Sequence, residues 1–267
     1  MPEGDNVHLA ARGLHRGLAG GALLRTDFRV PALATVDLTG DTMREVVARG
    51  KHILMRTESG WTIHSHLMMD GEWHAYPAGA RWRAPAYEAR VILETVSSTA
   101  VGFRVKKIDV VKTADEDALV GHLGPDLLGP DWDAAEALRR MRDHPDDTIS
   151  AALLDQTIAA GWGNIYRNEI CFLRGLDPDM LVSQVPDPDA VIALGKRLIE
   201  ANREHARHVT TGDMGRGRQR WVYGRGGKPC LRCGTRIVRT PASDPERVTY
   251  RCPSCQPAVS GSKRAVK

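Results

Sequence analysis

GKPCLRCGTRIVRTPASDPERVTYRCPSCQ (227–256) carries two Cys-x-x-Cys pairs, Cys230/Cys233 and Cys252/Cys255, eighteen residues apart. That spacing is the one expected of a four-cysteine zinc site. Each pair can bend back in a tight turn with both sulfurs toward one ion, and Gly234 and Pro253 suit such turns. Four thiolates close a tetrahedral shell with no position for water, so the one Zn2+ expected here is structural and not catalytic. Between the pairs, TRIVRT and RVTYR alternate as two short strands. The module reads as a β-hairpin zinc finger with Arg247 near its turn, and metal binding supplies most of the folding energy of so small a unit.

The finger lies in a basic block. Residues 214–267 hold thirteen Lys/Arg against two acids, Asp244 and Glu246, although the whole chain is only +4. The other 213 residues are therefore net acidic. A basic block of that size fits a phosphate-bearing partner, or else a solvated tail. The chain has 267 residues, 42% of them hydrophobic, enough for a sizeable core in one large domain or two. No apolar run is long enough to span a membrane. The charged start MPEGDNVHLAARGLHRG is not a signal peptide. Five cysteines, four at metal spacing, fit a reducing cytosol, and Cys171 in its apolar stretch reads as a buried, inert thiol.

Upstream, residues 5–18 place Val7, Ala11, Leu14 and Leu18 on one face of a helix. From about 21 to 112, the runs LLRTDFRV, KHILMRT, GWTIHSHL, YEARVILETV and TAVGFRVKKIDVV alternate with turn signals, as in an antiparallel sandwich or barrel. AALLDQTIAA (151–160) and DAVIALGKRLIEANREHA (189–206) have helical periodicity. Gly212–Gly227 is Gly/Arg-rich, a flexible or phosphate-tracking segment, and the last residues form a basic tail.

The N-terminus has its own chemistry. Removal of Met1 exposes the secondary amine of Pro2 beside the carboxylate of Glu3. An α-amine has a pKa near 8 against about 10.4 for lysine, so its free-base fraction at neutral pH is roughly two orders of magnitude larger. A secondary amine attacking an aldehyde-level carbon yields a cationic iminium, an electron sink. Glu3 is placed to donate a proton to a leaving or ring-opening oxygen.

PEGD at the start, RGKHIL (49–54), HLMMDG (66–71), LLDQTIAAGWGNIYRNE (153–169) and the finger together resemble the formamidopyrimidine-DNA glycosylase/endonuclease VIII family over essentially the whole chain to residue 256. The resemblance implies an α+β multidomain protein: an N-terminal β-sandwich with a leading helix (1–115), a helical domain with a helix–two-turn–helix (116–220), a zinc finger (221–257) and a disordered basic tail (258–267). It implies a bifunctional DNA glycosylase/AP lyase of base excision repair, a cytoplasmic monomer acting on double-stranded DNA with an oxidised base or abasic site in the cleft between the domains. Pro2 matches the nucleophile and Glu3 the acid, with strand cleavage by β,δ-elimination. Lys51, Asn164 and Arg247 match the phosphate-gripping positions, and a lysine and a planar guanidinium suit that task. Extrusion of the nucleotide leaves a void in the stack. Met69, with Met68 beside it, matches the wedge that fills it, unless both are core residues of a strand end. His66 falls near the phosphate on the same turn.

The departures matter. No Arg-Phe-Gly triplet occurs where the formamidopyrimidine branch has one; GFRVKKIDVV (102–111) stands there. This resembles the endonuclease VIII branch and implies a preference for oxidised pyrimidines. Asn6 replaces a usual second acid. His122 stands where an arginine of that branch contacts DNA, which implies a weaker or pH-dependent contact. Two other classes stay open: a non-catalytic damaged-DNA-binding protein on this scaffold, and a zinc-ribbon RNA-binding protein.

Overall fold

Glu3 caps the first helix, α1 (Gly4–Leu18), through a capping box in which the Asn6 side chain accepts from the Glu3 N–H at 3.3 Å. Its apolar stripe of Val7, Ala11, Leu14 and Leu18 is fully buried, as its spacing predicts. The structure, a computed structural model, describes residues 2–242 and 247–258. Met1, Asp244, Glu246 and residues 259–267 of the expected tail lie outside the described residues. The chain divides into two units, 1–122 and 123–267.

In the first unit α1 is followed by β1 (Arg25–Phe28), β2 (Met43–Arg49), β3 (His52–Thr57), β4 (Trp61–His66), β5 (Glu72–Pro77), β6 (Ala89–Glu94), β7 (Ser98–Phe103), β8 (Lys107–Lys112) and a short helix α2 (Asp117–Val120). Two four-stranded antiparallel sheets form, in the orders β1-β6-β7-β5 and β2-β3-β4-β8. Ile53, Met55 and Ile63 of one sheet and Trp73, Val91, Leu93 and Ala100 of the other share a core with α1. Trp73 Nε1 donates to Ser65 Oγ at 2.9 Å, one sheet to the other, so the buried indole keeps its hydrogen bond. TAVGFRVKKIDVV is not one strand: it breaks at Arg104, and its halves, β7 and β8, join different sheets.

The second unit contains α3 (Ala134–Arg142), α4 (Ile149–Ala152), α5 (Asn164–Arg174), α6 (Pro188–Asn202) and the hairpin strands β9 (Val238–Thr240) and β10 (Thr249–Arg251). Trp162, Tyr166, Ile170, Met141, Val191 and Ile199 centre its core. Asp187 caps α6 by accepting from Ala190 N–H, with Pro188 in the first turn. The expected helix over 151–160 is corrected here: α4 ends at Ala152 and two turns lead to α5. Asp155 captures the Thr157 N–H at 2.8 Å, and Gln156 bonds to the carbonyls of Leu154 and Trp162 and to the Gly161 N–H. Side chains that bond nearby backbone in this way compete with helix. Among the described residues no helix is long and apolar enough to cross a membrane.

Candidate active site

Pro2 precedes a carboxyl with no solvent exposure. Glu3 and Asp5 are both fully buried at the start of α1, where amide N–H groups gather. Asn6, in place of a second acid, serves the capping box.

Lys51 occupies the turn between β2 and β3 with Gly50, whose φ of 56° suits glycine. Strand register then sets Arg49, His52, His66 and Lys107 side by side across β2, β3, β4 and β8, on the face opposite the Ile53–Ile63 core. The His52 ring meets His66 edge-on at 4.8 Å and lies over His64. His64 Nδ1 donates to the Asp109 carboxylate at 2.9 Å, so its Nε2 accepts from His52 Nδ1 at 2.8 Å. Met68 N–H donates to His66 Nδ1 at 3.0 Å, which leaves the ring proton on Nε2. All three imidazoles are held neutral. Burial, then the nearby His66, His64, Lys107 and His122, pushes His52 down to about 3. Burial and then the Lys51 cation push His66 down to about 4. Burial also lowers His64. Lys51, His66, Met68 and His122 thus belong to one neighbourhood. His52, His64, Lys107 and Asp109 belong to it too and were not singled out from sequence. Met68 and Met69 are each 42% exposed, which excludes a core role for them.

In the second unit Asn164 begins α5 and is buried. Its Nδ2 donates to Val248 O at 3.0 Å, and its Oδ1 accepts from Asn168. Asn168 Oδ1 in turn accepts from Tyr250 N–H at 2.6 Å. Arg167 donates to the carbonyls of Arg247 and Val248 and to the Thr249 hydroxyl. The Glu169 carboxylate accepts the backbone N–H groups of Trp221, Val222 and Tyr223, all within 2.9 Å, and the hydroxyl of Thr210. The NIYRNE face of α5 is therefore the seat of the hairpin that carries Arg247, itself exposed. The segment 212–227, expected to be flexible or phosphate-tracking, is tied down by these bonds and by its own. It helps line a cleft of about 590 Å³ among Arg207, His208, Met214, Arg216, Gln219 and Arg220.

The thiol sulfurs of Cys230, Cys233, Cys252 and Cys255 lie within 4.8 Å of one another. Backbone N–H groups of Arg232 and Cys255 point at the sulfurs of Cys230 and Cys252. That donor set fits one tetrahedral metal ion. Cys171 is buried, and burial pushes its thiol up to about 12, so it is inert as expected.

The chain matches the formamidopyrimidine-DNA glycosylase N-terminal domain over residues 1–107 and the H2TH domain of the same enzymes over residues 123–201. It is 52% identical to the probable endonuclease 8 2 of Streptomyces coelicolor, with 96% of this chain and 94% of that protein covered. The chain belongs to the formamidopyrimidine-DNA glycosylase/endonuclease VIII family. It is also 43% identical to the DNA-(apurinic or apyrimidinic site) lyase Nei2 of Mycolicibacterium smegmatis, with 97% and 100% covered. Lactococcus lactis Fpg, solved in complex with DNA containing an abasic site, superposes with a TM-score of 0.79 at 22% identity, covering 96% and 99% of the two chains. At that identity the likeness speaks for the fold. The α4–turns–α5 unit is the family's helix–two-turn–helix, and Arg167 and Asn168, which carry no separate signal in the sequence, join Asn164 in seating the finger on it.

Proposed function

We propose that this chain is a DNA glycosylase and AP lyase of base excision repair, acting through Pro2 on double-stranded DNA that carries an oxidised base or abasic site. Family membership supports the reaction class. The observation that carries the assignment to residues is the fully buried Glu3 carboxyl directly after Pro2, at the N-terminus of α1. The positive end of that helix favours the uncharged amine over the ammonium form once Met1 is removed.

In this reading the Pro2 nitrogen attacks C1′ of an extruded nucleotide, and the glycosidic bond breaks with its electron pair leaving on the base, which takes up the proton that the amine nitrogen gives up. The C1′–O4′ bond then opens as the iminium forms, and O4′ takes a proton from Glu3. The iminium accepts the electron pair released when C2′ loses a proton, and the resulting enamine expels the 3′-phosphate, which leaves with the pair of its C3′–O bond. A second elimination expels the 5′-phosphate, and water frees Pro2. Lys51 and His66 from the first unit, with Arg247 and the N-terminus of α5 behind Asn164 from the second, hold backbone phosphates. His122, exposed beside the imidazole cluster, adds a weaker contact. Met68 and Met69 fill the void.

Cys230, Cys233, Cys252 and Cys255 would hold one structural Zn2+, which closes the finger and takes no part in the chemistry. The missing Arg-Phe-Gly triplet favours oxidised pyrimidines as substrates. We read the protein as a cytoplasmic monomer working on nucleoid DNA. Borohydride trapping on abasic-site duplex tests the proposal. A covalent adduct is expected, slowed in Pro2→Gly and with Met1 or a tag retained. Binding without any adduct would leave a non-catalytic damage-binding protein.

A further inference from the structure

Met68 and Arg104 are, among the described residues, the two non-glycine residues with positive φ, each at 53°. Side chains rarely tolerate that region, and such strain persists where the surroundings over-determine it. The two strained positions are connected. Arg104 Nε donates to the backbone oxygen of Asp70 at 3.2 Å. Its Nη2 binds Glu72, the first residue of β5, and its Nη1 binds Glu88, just before β6. One guanidinium thus joins the methionine turn to the starts of two strands. Lys106 Nζ adds an ion pair to the Asp70 carboxylate at 3.2 Å. The other end of the turn is tied as well. Met68 N–H donates to His66 Nδ1, and Gly71 N–H closes on Leu67 O at 2.9 Å. A Cβ at position 71 would stand 2.5 Å from that oxygen, so glycine is required for the closure.

The tip of this constrained turn is apolar and exposed. A solvent loop needs no such restraint. An apolar wedge does, because any freedom it keeps before insertion is lost on insertion and weakens binding. We propose that Arg104 is a positioning residue whose three-way clamp pre-organises the Met68–Met69 turn for entry into the stack beside the lesion. Arg104 can have this task only if the two methionines are the wedge, as read above. A lysine could supply the charge but not the planar fork that reaches a carbonyl and two carboxylates together.

The test is stopped-flow fluorescence of 2-aminopurine placed next to an abasic-site analogue in duplex DNA, at saturating protein, with full-length Pro2→Gly as background. Saturation removes differences in affinity or folded fraction, which a merely structural role would change. Wedge entry unstacks the probe and raises its signal. Arg104→Ala is expected to slow that rise about tenfold, and Arg104→Lys nearly as much, consistent with the loss of charge-assisted hydrogen bonds. An unchanged rise in Arg104→Ala overturns the proposal. If Arg104→Ala does not fold, Glu88→Gln, which weakens one arm of the clamp, is judged by the same criterion. The Met68→Ala/Met69→Ala double variant separates the two readings. If it leaves the rise intact, the wedge reading itself fails. If it abolishes the rise while the Arg104 variants do not slow it, only the clamp fails.

Discussion

Arg167 donates from Nη2 to the main-chain oxygen of Arg247 at 3.1 Å and to that of Val248 at 2.9 Å. A residue in the first turn of α5 therefore sets where the finger hairpin delivers its arginine. Arg167→Ala leaves these carbonyls without that donor, a loss of ~1–3 kcal/mol. The expected outcome is a lower melting temperature and weaker DNA binding, measured by calorimetry and fluorescence anisotropy. An unchanged melting temperature would refute the seating role.

Arg247→Ala removes an exposed cation and leaves the backbone contact with Arg167 in place. Stability should hold. The slope of log K against log salt should fall in magnitude by about one if the guanidinium meets a phosphate. Anisotropy titrations over a range of salt concentrations read this directly, and the same slope in both proteins would remove Arg247 from the phosphate contacts.

Metal removal should reach beyond the finger. Cys252 N–H donates to Gln256 Oε1, and Gln256 Nε2 donates to Leu176 O just past α5. Cys230 and Cys252 also pack with Phe172 of α5, on which Trp221 stacks at 5.4 Å. Chelation is expected to cost DNA affinity and to expose residues 221–256 to protease, while the β-sandwich keeps its fold. Protection of that segment in metal-free protein would contradict a metal-built finger.

Acid should destabilise the first unit. His52 and His66 lie at about 3 and about 4 in the folded chain, with burial the larger cause in each. Unfolding returns both to about 6.5. Between those values the unfolded chain binds more protons, so stability rises with pH: it is complete above about pH 6.5 and is lost as pH falls toward 4. Thermal melts should shift down between about pH 7.5 and about pH 5, and His52→Gln should flatten that dependence. Identical pH profiles for the two proteins would show that His52 does not carry it.

Much of the fold was legible wherever the signal is short-range. The α1 stripe, the alternating runs and the cysteine spacing each follow from a few residues. Strands β2 and β5 leave no clear signal in the sequence: MREVVAR carries three charges, and EWHAYP ends in proline, so neither alternates cleanly. Both are edge strands, formed because a neighbour supplies register along one side only. The 151–160 segment read as helix because its apolar spacing is helical. Asp155 and Gln156 override that spacing by bonding the nearby backbone. Within NIYRNE the motif marks Asn164 alone; Arg167, Asn168 and Glu169 take their roles from partners 41 to 82 residues away, which no local pattern announces.

By themselves the residues determined the four-sulfur module, the leading helix and the Pro2–Glu3 pair, because each is complete within one hairpin, one helix or two adjacent residues. Only the tertiary structure decided the Arg49–His52–His66–Lys107 row, the neutral state of its imidazoles and the hold of Arg104 on the methionine turn. These depend on strand register, on burial and on bonds across loops, and none of those exists until distant segments have packed together.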